Sequence, residues 1–110
     1  MKLVLTLALL LVLVAFGPWA LACAGDLQAG QAAYDKGCKM CHGPRGQGNP
    51  AMAKALNVVI PDLGSKEVQA KNDDSLKKDI FEGKGKMKPV KNLSGTEVRE
   101  VIAFVRTLAK

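Results

Sequence analysis

The sequence predicts an all-α protein with long loops, and three observations carry that prediction. Near the C-terminus, Ser94-Gly95-Thr96-Glu97 has the form of a capping box. Val98, Val101, Ile102, Val105 and Leu108 then recur at helical spacing, and Phe104 widens that face. No stretch alternates apolar and polar residues as a strand does, and no hairpin turn lies between β-branched runs. Glycine and proline gather instead in discrete stretches, chiefly Gly43 to Pro50, which read as loops between helical segments. The chain shows no internal repeat.

The 110 residues are enough for one domain, and the first part is not domain-like. Met1-Lys2 precedes an apolar run from Leu3 to Phe16, followed by Gly17, Pro18 and the small-residue stretch "WALACAG". This layout predicts a secretory signal peptide over residues 1–24 and a mature domain over residues 25–110. The apolar run is shorter than the roughly 20 residues of a membrane span. Ala20-Leu21-Ala22 and Ala22-Cys23-Ala24 are overlapping cleavage sites, and a third outcome is a lipoprotein acylated at Cys23. Cleavage after Ala24 is preferred. Ala20 stands where lipoproteins usually carry an aliphatic residue, and an unpaired Cys23 thiol would be a liability in an oxidising compartment. Only Lys2 is lost among charged residues, so the net charge falls from +6 to +5. That balance suits acidic protein partners or membrane surfaces. Nucleic acid is excluded by the expected export and by the lack of interleaved basic and aromatic residues.

In the mature chain, Asp26 is the expected cap of a first helix, "LQAGQAAYDK", which Gly37 ends. "AMAKAL" and "SKEVQAK" read as short helical turns. Between them "VVIPDLG" is extended, because Pro61 biases Ile60 away from helix. Asp73 is the expected cap of "DSLKKDIFE", with Gly83 as its stop, and the loop "GKGKMKPVKN" follows. A domain this short, with 5% aromatic residues, would gain from a large prosthetic group in its core.

Cys38-Lys39-Met40-Cys41-His42 names that group. C-x-x-C-H is the signature of covalent c-type haem attachment. Two thiols add across the two haem vinyl groups, and one turn of backbone spans the distance between them. The next residue, His42, is carried under the iron as a nitrogen ligand. A Cys38–Cys41 disulfide, a thioredoxin-type thiol pair and a zinc site are the competing readings. The second wants a βαβ context that is not visible, and the third usually needs four ligands where this segment offers three.

With these residues the mature chain resembles the small bacterial class I c-type cytochromes over nearly its whole length. The likeness runs through Gly30 and Tyr34, then Cys38, Cys41 and His42, then "GKGKMKPV" and "VIAFVRTL". It implies first and last helices that cross, with the haem in a crevice between loops. The local pattern agrees. Gly30 permits close approach of a second helix, Tyr34 lies one turn on, and Val101 and Phe104 are apolar partners on the last helix.

His42 is the only histidine, so bis-histidine ligation within one chain is excluded. The methionines of the mature chain are Met40, Met52 and Met87. Met40 lies inside the attachment turn, and Met52 is close in sequence to His42. By the resemblance, Met87 is the second axial ligand, so the iron sites are His42 and Met87 and no residue is catalytic. The chain departs from the family at this point: Lys88 stands between Met87 and Pro89, where the proline usually follows the methionine directly. The resemblance also implies that a proline carbonyl, Pro50 or else Pro44, accepts from the second ring nitrogen of His42.

The expected function is one-electron transfer in the periplasm through a haem edge, by an exported monomer that is not an enzyme. The alternative is a haem-based ligand binder or sensor with a displaceable Met87. Lys84, Lys86, Lys88 and Lys91, joined by Lys39, would ring the crevice and steer redox partners with acidic faces.

Overall fold

A computed structural model describes residues 19–110, which hold six helices and no strand. They are α1 (Trp19–Gly37), α2 (Lys39–His42), α3 (Pro50–Leu56), α4 (Lys66–Gln69), α5 (Asp73–Glu82) and α6 (Gly95–Thr107). Residues 1–18, most of the expected signal peptide, lie outside the described residues. Among the described residues no helix is long and apolar enough to cross a membrane.

The first helix starts earlier than expected. Asp26 lies inside α1 rather than capping it, because the alanine-rich stretch before it favours helix. The cap of α5 is also shifted by one residue. Asn72, not Asp73, accepts the Ser75 backbone N–H at 2.8 Å, and Asp73 becomes the first helical residue. The capping box of α6 forms as expected. Glu97 N–H donates to Ser94 Oγ at 3.2 Å, and Ser94 N–H donates to Glu97 Oε2 at 2.7 Å. Val98, Val101, Ile102 and Val105 of that helix are all buried, and Phe104 is partly buried.

α1 and α6 form the main helix pair, and Gly30 explains how closely they meet. A Cβ at Gly30 would stand 2.3 Å from the Glu100 carbonyl oxygen and 3.1 Å from Phe104 Cβ. Only hydrogen fits there. One turn on, Tyr34 is fully buried and its ring centroid lies 5.1 Å from that of Phe104. Ala33, Tyr34, Ile80, Leu93 and the buried face of α6 form a single core cluster.

Arg106 ties the middle of the chain to this pair. Its guanidinium donates to the Gln69 carbonyl at 2.9 Å, the Lys71 carbonyl at 2.6 Å and Asp73 Oδ1 at 2.7 Å. Planar geometry lets one side chain serve three acceptors. At the end of the chain, the Lys110 ammonium pairs with Asp62, whose carboxyl is held below its usual range by that contact and by Gly64 N–H.

Candidate functional site

The attachment segment continues directly from α1. Cys38 N–H donates to the Tyr34 carbonyl at 2.8 Å, so the helical ladder reaches the first cysteine. The single turn α2 then carries Met40, Cys41 and His42, and His42 N–H closes on the Cys38 carbonyl at 3.0 Å. Gly43 stops the turn at φ 80° and ψ 166°, a conformation reserved for glycine.

The loop that follows folds back on α2. Gly48 N–H reaches the His42 carbonyl at 2.7 Å, and Asn49 N–H reaches the Cys41 carbonyl at 2.9 Å. Asn49 holds two elements at once. Its Nδ2 donates to the Met40 carbonyl at 2.8 Å, while its Oδ1 caps α3 by accepting from Ala51 N–H at 3.0 Å. The buried Tyr34 hydroxyl donates to the Gly43 carbonyl at 2.7 Å, fixing the residue next to His42. The Asn49-Pro50 pair could have been read from the sequence as a cap followed by proline at the first helical position. The Tyr34 tether could not, because it depends on where Gly43 is carried.

Cys38 and Cys41 carry free, partly buried thiols. Burial, and then the neighbouring Cys41, push the Cys38 thiol up to about 11. A redox-active thiol pair works through a thiolate of lowered pKa, and Cys38 is shifted the other way. Nor do the side chains converge on a small ion: among the described residues no three His, Cys, Asp or Glu are grouped to hold a metal. The His42 imidazole is partly buried, and burial lowers its pKa and favours the neutral ring that a metal needs.

His42 Nδ1 is the one buried side-chain polar atom without a partner among the described residues. The expected proline carbonyl therefore does not hold it. Neither the Pro50 nor the Pro44 carbonyl accepts from it. An imidazole and two unpaired thiols carried on one turn are a donor set that fits a further group.

Met87 approaches the core from far along the chain. α5 ends at Gly83, and Lys84 and Met87 then pair through their backbones. Lys84 N–H donates to the Met87 carbonyl and Met87 N–H to the Lys84 carbonyl, each at 2.9 Å. This bridge inside an expected loop was not visible in the sequence. The Met87 side chain is partly buried, and it and Cys38 pack against the same core cluster. Met40 is 74% exposed, on the outside of the attachment turn. Met52 is partly buried on α3, immediately after the attachment loop. The structure thus groups Cys38, Cys41 and His42 on one turn and brings Met87 to the same core.

The family model for cytochrome c matches residues 27–109. The chain belongs to the cytochrome c family. It is similar to the solved structure of the KustC0563 c-type cytochrome, with a TM-score of 0.63 and 30% sequence identity over 74% of this chain and 98% of that one. No curated protein matches. The cytochrome carries a covalently attached c-type haem with iron, and Cys38, Cys41 and His42 fit that group. Its fold is the all-α cytochrome c fold, and members of the family generally carry electrons between redox partners rather than catalyse reactions.

Proposed function

We propose that the cytochrome is an exported, periplasmic one-electron carrier with His42 and Met87 as the two axial ligands. Cys38 and Cys41 are the thioether attachment points. The expected signal peptide over residues 1–24 supports export, and cleavage after Ala24 falls within α1, so that the mature chain begins at Gly25. When bound, the haem iron supplies reversible one-electron chemistry. The protein holds both ligands in place, so that neither needs to move when the charge changes. A neutral imidazole and a neutral thioether favour the ferrous state relative to two histidines, which raises the potential.

The observation that carries this reading is the packing of Met87 and Cys38 against one core cluster. Of the three methionines, Met87 combines that placement with a backbone fixed by the bridge to Lys84.

Partner docking is assigned to the loop after α5. Lys84, Lys86, Lys88 and Lys91 are exposed, and none takes part in a salt bridge among the described residues. Free exposed cations steer an acidic partner better than neutralised ones. Lys39 contributes less than the sequence suggested, because Asp35 lies 3.7 Å from its ammonium.

Optical spectra of the holoprotein test the ligation. A weak far-red band in the ferric form and a ferrous spectrum unchanged by carbon monoxide are the expected results. A missing band with ready carbon monoxide binding would replace the carrier by a ligand binder or sensor.

A further inference from the structure

The methionine loop must hold Met87 without a proline directly after it, since Lys88 intervenes. Gly83 has φ 78° and ψ 170°, a region open to glycine and closed to residues with a side chain. It is crowded as well. A Cβ built there would lie 2.5 Å from the Met87 carbonyl oxygen and 3.0 Å from Pro89 Cδ. That carbonyl is the acceptor for Lys84 N–H, one half of the reciprocal pair that closes the turn. The other end is fixed by Val90 N–H on the Ile80 carbonyl at 2.9 Å. Gly85, at the tip of the same turn, has φ 57° but nothing within 4 Å of its Cβ position. The two glycines therefore differ: Gly85 supplies a backbone conformation, and Gly83 supplies both a conformation and space for Met87.

We propose that Gly83 is a positioning residue for Met87, setting the backbone from which the thioether reaches the iron. The inference rests on the reading of Met87 as axial ligand. A side chain at Gly83 displaces the Met87 carbonyl, opens the Lys84–Met87 pair and moves the sulfur with it.

The test compares the wild-type, Gly83→Ala and Gly85→Ala holoproteins. It reads the ferric far-red band, the reduction potential and the affinity of the ferrous form for carbon monoxide. Gly83→Ala is expected to weaken the band, lower the potential and raise carbon monoxide affinity at least tenfold. Gly85→Ala is expected to change that affinity less than twofold. Where the wild type shows the band and Gly83→Ala leaves band, potential and affinity unmoved, Gly83 has no positioning role, whatever happens to thermal stability. A wild type without the band removes the ligand reading itself, and this inference with it. Should Gly83→Ala holoprotein not accumulate, amide hydrogen exchange on the wild type decides. Protected Lys84 and Met87 amides support the closed pair, and exchange as fast as that of an open chain overturns it.

Discussion

The attachment segment and the methionine loop are built to different standards of rigidity. Between Cys38 and Pro50 the chain is held from three sides: by the Tyr34 hydroxyl, by backbone bonds from Gly48 and Asn49, and by the Asn49 side chain. Leu63 N–H adds a fourth hold on the Gly46 carbonyl at 2.8 Å. Between Gly83 and Lys91 the chain closes on itself through one reciprocal pair and one bond back to Ile80. The four lysines of that loop, with Gly85 and Pro89, are exposed. The contrast assigns a role to each side. On the proposed reading, the tightly held side carries the covalent links and one ligand, and the lightly held side carries the second ligand and the charges that meet a partner.

Substitutions on the two sides should separate accordingly. The largest effect belongs to Tyr34→Ala, which empties a fully buried aromatic site beneath the attachment turn. It should cost about 3–5 kcal/mol, measured by denaturant unfolding of the holoprotein. Tyr34→Phe keeps the ring and removes the bond to the Gly43 carbonyl, for about 1–3 kcal/mol. If Tyr34→Phe were as stable as the wild type, the tether would not be what stiffens this side.

Asn49→Ala comes next. It removes the cap of α3 and the tie to Met40 together, with an expected loss of about 1–2 kcal/mol from the cap. A loss below a few tenths would show that the backbone bonds of Gly48 and Asn49 suffice.

Glu97 gives a smaller, pH-dependent effect where α1 meets the start of α6. Its carboxyl accepts from Ser94 N–H and from the Lys36 ammonium at 3.3 Å, and the Ser94 bond is the main cause that holds it below its ordinary 4.5. A lowered carboxylate pKa adds stability that is full above that ordinary value and is lost as pH falls through the folded one. Glu97→Gln should therefore flatten the fall of Tm below pH 4.5 and lower Tm near pH 7, where the contribution of the ionised carboxylate is full. An acid limb identical to the wild type would place the pH sensitivity elsewhere, with Asp62 the next group to substitute.

The smallest effect on stability belongs to the lysines. Lys86→Glu with Lys88→Glu should change stability by no more than about 0.5 kcal/mol, as exposed sites do. Electron exchange with an acidic partner should slow by on the order of tenfold at low salt. The difference should fade as salt rises. A rate independent of salt in both proteins would remove this loop from the docking face.

The same contrast explains what could be read from the sequence. The attachment site was legible because its chemistry is local: two thiols and an imidazole within five consecutive residues. The α6 capping box was legible for the same reason. The α5 cap was misplaced because Asn72, Asp73 and Asp74 stand in a row and each is a competent cap. Position, not residue type, chose Asn72, and it left Asp73 to meet Arg106 from the far end of the chain. The Lys84–Met87 pair was hidden because it depends on a glycine-only conformation at Gly83. The pattern "GKGK" looks equally like a featureless loop.

The most direct test of the central claim asks which methionine sits over the haem. In the ferrous holoprotein the ring current of the haem shifts the methyl resonance of an axial methionine far upfield of all others. The account predicts one such signal in the proton NMR spectrum, present in the wild type and in Met52→Ala and absent from Met87→Ala. A signal that survives Met87→Ala, or that disappears with Met52→Ala, would contradict it.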